Sequence, residues 1–92
     1  MNTIENILIQ RGYNKEDAAK VAFDLNNVND CLKQAINKWL VDGTETDYEI
    51  AGYSILGLKE RFDMTYPAAL LSIDWIIEDS AEAIRCIEKG IR

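Results

Sequence analysis

Carboxylates are the most abundant reactive side chains in this 92-residue chain, which has 16 acidic residues, 10 basic residues and no histidine. The absence of histidine removes the commonest general base and metal ligand, together with the usual serine or cysteine triad. A di-iron helical site is excluded too, because its Glu-x-x-His motif cannot occur. Magnesium and manganese, hard cations that carboxylate oxygens can hold, remain open. Helical hydrolases hold magnesium between pairs of acids spaced so that both carboxylates lie on one helix face. Glu60-Arg61-Phe62-Asp63 has that form. The matching half would have to be Asp42-Gly43-Thr44-Glu45, which reads as a loop and presents no common face. Asp74, Glu78 and Glu82 recur at i, i+4 and i+8, a ladder that reads as a solvated face partly offset by Arg85. A metal-dependent hydrolase is therefore an alternative, and the expectation is a non-enzyme with no catalytic residue, metal ligand or cofactor.

Sulfur chemistry is equally sparse. Cys31 and Cys86 are far apart and form no C-x-x-C pair. The first residues, Met1 to Asn6, lack the basic region and apolar run of a signal peptide. No window approaches the ~18 apolar residues of a membrane span. The expectation is a cytoplasmic protein with two reduced, buried thiols. The Asp42–Glu49 stretch lacks the alternating ligands and central glycine of a calcium loop, and no glycine-rich phosphate loop occurs.

The elements that must carry these residues are helices. One proline and five glycines interrupt the chain, and no run alternates long enough for a strand. A first helix starts after Asn2 or Thr3, turns Ile4, Ile7 and Leu8 to one side and ends at Gly12. A second is capped by Asn14 and carries Ala18, Val21, Ala22 and Leu25. The clearest stripe, Val28, Leu32, Ala35, Ile36 and Trp39, defines a third that ends at Asp42-Gly43-Thr44. Residues 43–46 read as a linker. Thr46-Asp47-Tyr48-Glu49 has the form of a capping box and predicts a fourth helix with Ala51, Ile55, Leu58 and Phe62 inward, and Gly52 and Gly57 within it. Thr65-Tyr66-Pro67 opens a fifth, apolar nearly all round to Ile77 and so central. Asp79-Ser80-Ala81-Glu82 opens a sixth, which buries Ala83, Ile84, Ile87 and Ile91 and has Gly90 near its end. The fold class expected is all-α: one domain over residues 1–92, a compact bundle of five or six short helices divisible into three-helix halves at 1–42 and 46–92.

Residues 4–28 resemble the ubiquitin-associated (UBA) three-helix module, through Ile4, Leu8, Gly12-Tyr13, Lys15-Glu16, Ala18 and Asn26-Asn27-Val28. The resemblance implies that Gly12 and Tyr13 contact a protein partner, since that family docks ubiquitin with its Gly–aromatic turn. The stretch Val28 to Trp39 is longer than the family's third helix. Residues 58–65 look like the first helix and turn of a helix-turn-helix, with Asp63 at the turn glycine. The segment that would read bases, Tyr66 to Trp75, has no arginine, lysine, asparagine or glutamine, so it reads as a core helix instead.

A net charge of −6 weighs against nucleic acid and anionic membrane as partners. Ile9, Phe23, Val41, Leu56, Leu71 and Trp75 lie off the apolar faces named above. A central helix accounts for Leu71 and Trp75, while Ile9, Phe23 and Val41 sit on peripheral helices and suggest a contact surface. The functional expectation is a small interaction or regulatory protein that binds a protein partner or a second copy of itself. Its candidate contacts are Gly12 and Tyr13, with Tyr48 and Tyr53 as aromatics near the acidic loop. An alternative is an acidic inhibitor that mimics nucleic acid through Glu45, Asp47 and Glu49.

Overall fold

Short polar side chains set where the helices begin. The computed structural model describes residues 3–89 and orders them as α1 (Ile4–Gln10), α2 (Lys15–Asn26), α3 (Asp30–Asp42), β1 (Glu49–Ile50), β2 (Tyr53–Ser54), α4 (Ile55–Phe62), α5 (Tyr66–Glu78) and α6 (Ser80–Glu88). Thr3, Asn14, Ser54, Thr65 and Asp79 each accept a hydrogen bond from a backbone N–H in the first turn of the helix they precede. Each bond satisfies a donor that the helix itself leaves free. Gly90 and Ile91, expected at the end of α6, lie outside the described residues, as does Asn2.

The chain is all-α, with one two-stranded hairpin beside the six helices among the described residues. α5 is central, as its apolar run predicts. Tyr66, Pro67, Ala69, Leu70, Ile73 and Ile76 are buried, and α2, α3, α4, α6 and β1 all pack against this helix. The covering helices contribute Leu25, Leu32, Ile36, Leu58, Ala83 and Ile87 to one continuous core. A continuous core of this kind is where burial supplies most of the folding free energy. The Trp39 ring of α3 stacks on Tyr66 at 6.0 Å between centroids, and the Tyr66 hydroxyl donates to the Thr46 carbonyl at 2.6 Å.

α3 is held at both ends by other elements. The Asn29 side chain makes no cap bond. Instead the Asp74 carboxylate of α5 accepts from the Asn29 backbone N–H and from its side-chain amide, both at 2.8 Å. At the other end Gly43 turns the chain left-handed at φ 80°. There the Arg11 guanidinium donates to the carbonyls of Trp39 and Leu40 at 2.7 and 3.1 Å while lying 4.6 Å above the Trp39 ring. Cationic donors at a helix C-terminus complement its dipole as well as its free carbonyls.

Four expectations are corrected. The fourth helix does not start at Thr46. Residues 49–54 form an antiparallel hairpin with Glu49 opposite Ser54 and Ile50 opposite Tyr53. Ala51 and Gly52 make its two-residue turn, both left-handed (φ 54° and 83°), so Ala51 is exposed rather than in the core. The apparent capping box is used otherwise: Asp47 accepts from the Tyr48 and Leu56 backbone N–H groups, and Ser54 caps α4. The carboxylate ladder is broken, because α5 ends at Glu78 and Glu82 belongs to α6, where it pairs with Arg85. The thiols are not both buried, since Cys31 is exposed and Cys86 half-buried, both unpaired. Finally, the helices around α5 cover Trp75 only in part.

Candidate protein-binding face

α2 and α5 lie side by side and leave Leu71 and Trp75 partly open at their seam, and Phe23 stands on the outer face of α2 next to it. Phe23 of α2 is 70% exposed and Trp75 of α5 is 37% exposed. Two shallow grooves meet at Asp24. One, of about 310 Å³, is lined by Asp24, Asn27, Leu71, Asp74, Trp75 and Glu78. The other, of about 440 Å³, is lined by Ala19, Lys20, Phe23 and Asp24. The 3.6-residue period explains why the seam stays open. Ala18, Ala22 and Leu25 turn the inner face of α2 into the core, which leaves Ala19 and Phe23 outward. On α5, Leu70, Ile73 and Ile76 fill the core, and Leu71 and Trp75 emerge beside α2. The other exposed large apolar residues, Val41 at 83% and Ile9 at 40%, line neither groove.

None of the four contact residues expected from sequence lines this seam. Gly12 forms the α1–α2 corner at φ 106°, exposed and with open space beside it. Tyr13 turns inward: its ring packs on the core and its hydroxyl is buried without a hydrogen-bond partner. Tyr48 precedes the hairpin, Tyr53 lies in its second strand, and both are half-buried. The Cys31 thiol beside the Tyr48 hydroxyl raises that phenol above its ordinary pKa. The Tyr53 hydroxyl donates to the Glu88 carboxylate, which also receives Arg61 at 3.3 Å. That carboxylate raises the Tyr53 pKa, and the Tyr53 hydroxyl and then Arg61 lower that of Glu88.

The acidic residues singled out for chemistry are largely engaged. Glu45, Glu60 and Asp63 do come to one groove of about 490 Å³, with Leu56, Lys59 and Met64. Lys59 already pairs with Glu45 there at 2.5 Å. Asp63 sits just past α4 in a left-handed turn at φ 55°, so Glu60 and Asp63 do not share a helix. Among the described residues no three acidic or sulfur side chains are grouped to hold a metal ion. Asp42 accepts from the Thr44 backbone N–H at 2.9 Å, and the hydroxyl and N–H of Thr44 hold its carboxyl below the usual range. The Cys86 thiol is pushed up by burial and by Glu82, the opposite of an activated nucleophile.

Phe23 was visible in the sequence as an apolar residue off the stripe of its helix. Trp75 stands off the stripes as well, but its cover was expected, because a helix apolar on every side does not reveal which side its neighbours leave bare. Compared with known proteins, the chain matches no family model, no curated protein sequence and no solved structure. No helix of the described residues is long and apolar enough to cross a membrane.

Proposed function

We propose that this chain is a small, non-catalytic interaction protein that binds another protein through the α2–α5 seam. The observation that carries the reading is the exposure of Phe23 and Trp75 on adjoining grooves with Leu71 between the helices. Aromatic side chains on a small domain are costly to leave in water and are enriched where proteins meet. The mimicry alternative has less to work with. Of its three acids, Glu45 is paired with Lys59 and Asp47 is oriented by two backbone N–H groups, which leaves Glu49 alone exposed without a partner among the described residues. An exposed, unpaired Cys31 fits a reducing compartment such as the cytoplasm.

Photo-crosslinking tests the reading. A benzophenone side chain at position 23 should yield one discrete protein adduct in lysate from the source cells, and the same group at exposed Val41 should not. Phe23→Ser should weaken the captured complex about 10–100-fold, the equivalent of burying a phenylalanine side chain. Adducts of equal yield from both positions, or none from position 23, would overturn the proposal.

A further inference from the structure

Two helix C-termini converge on the α2–α5 groove, and both carry acids. Asp24 lies in the last turn of α2, Glu78 is the last residue of α5, and neither last turn holds a basic residue. A helix C-terminus is already the negative end of its dipole, so a carboxylate there is unfavourable for the isolated fold. Asp74 adds a third negative charge, though its oxygen is held by Asn29. Among the described residues, no lysine or arginine forms an ion pair with any of the three. Lys20, one turn before Asp24, lines the neighbouring groove with Phe23. Between these charges the floor is apolar, formed by Leu71 and Trp75.

Resting on the reading that this face binds protein, we infer that its partner is a basic amphipathic α-helix. The apolar stripe of that helix lies on Leu71, Trp75 and Phe23, and its flanking lysines or arginines meet Asp24 and Glu78. Charge complementarity selects the sign of the partner. The dimensions of the face suit a helix. Leu71, Trp75 and Glu78 follow one another along α5 over about 10 Å, room for about two turns of a partner helix laid beside α2. The strands among the described residues are two residues long and offer little edge for a partner strand to extend. A second copy of this chain fits poorly. A two-fold interface here would bring together two faces that each carry Asp24, Asp74 and Glu78 against Lys20, between subunits of charge −6.

Three synthetic peptides of about 18 residues, sharing one leucine stripe and differing only in polar positions that are all Lys, all Gln or all Glu, test this against the full chain. Binding is followed by amide chemical shifts and by the Trp75 indole resonance. The Lys peptide should perturb α2 and α5 and bind about 10-fold more tightly than the Gln peptide, with the Glu peptide weakest. In about 0.5 M salt the excess over Gln should shrink to about 2-fold. The double variant Asp24→Asn/Glu78→Gln, at exposed positions, should remove that excess so that it binds Lys and Gln peptides alike, whereas Phe23→Ser should weaken both peptides. Equal binding of Lys and Gln peptides on this face overturns the basic-helix inference and leaves the protein-binding reading standing. If no peptide perturbs α2 and α5 and position 23 yields no crosslink, both fall. Shifts confined to the Glu45–Glu60–Asp63 groove overturn the inference. So does a dimer in sedimentation velocity that Phe23→Ser dissolves, which would assign the face to a second copy.

Discussion

Tyr66 joins three parts of the molecule: its ring stacks on Trp39, its hydroxyl reaches the Thr46 carbonyl, and its backbone opens α5. Burial, with Glu45 and Asp47 adding to it, pushes its phenol up to about 12. A phenol whose folded pKa is raised favours the folded state while it stays neutral. Its contribution should therefore hold up to about pH 10 and fade as pH rises toward about 12. Tyr66→Phe should cost about 1–2 kcal/mol at neutral pH, because the Thr46 carbonyl loses its donor, and should flatten this alkaline decline. Denaturant titrations at several pH values would check both. Asp74 is a second residue of this kind. Asp74→Ala should cost about 1–2 kcal/mol by freeing both Asn29 donors, and Asp74→Asn distinctly less, since one acceptor oxygen remains. Neither role was legible in the sequence, because both bind residues 20 or more positions away.

At the scale of elements, caps and stripes were readable because they are local. Thr3, Asn14, Thr65 and Asp79 cap where their residue types and spacing put them. The hairpin was not readable. Its strands are two residues each, too short for alternation to register, and Thr46 to Glu49 imitates a helix start. Its turn also holds a residue poorly suited to it, since Ala51 at φ 54° pays the steric penalty of a left-handed backbone. Ala51→Asn creates the Asn-Gly pair that two-residue hairpins prefer and should add about 0.5–1 kcal/mol, readable as a higher thermal midpoint. Gly57 behaves differently from an ordinary helix glycine. A methyl group there would sit 2.7 Å from the Ser54 oxygen that caps α4. Gly57→Ala should therefore forfeit the ~1 kcal/mol usually gained from alanine in a helix.

For the molecule as a whole, the all-α class and the central fifth helix followed from composition and from one apolar run. The location of the exposed face did not, because it depends on how neighbours are arranged around α5. Half of the candidate site was visible as Phe23. The other half needed the packing of α2 against α5, and the four tyrosine and glycine positions chosen by resemblance or residue type lie elsewhere. The charges of this face suggest that it is not optimised for folding. Asp24→Asn/Glu78→Gln should leave stability unchanged or raise it by about 0.5–2 kcal/mol, as two acids leave two negative helix ends. A fall in the thermal midpoint would mean that these carboxylates support the fold instead.

The attachment of α3 at both ends bears on how the chain comes apart. Arg11 fastens its end to the first helix, while Asp74 and Tyr66 fasten it to the fifth, across the exposed connection between Gly43 and Tyr48. A single protease nick near Thr44 should leave two pieces that migrate together in native gels and part only in denaturant. Neither piece made alone should hold its helices, yet mixing them should restore the native spectrum. The molecule would thus serve as a split reporter, cut at a site where backbone continuity matters less than the grip across it.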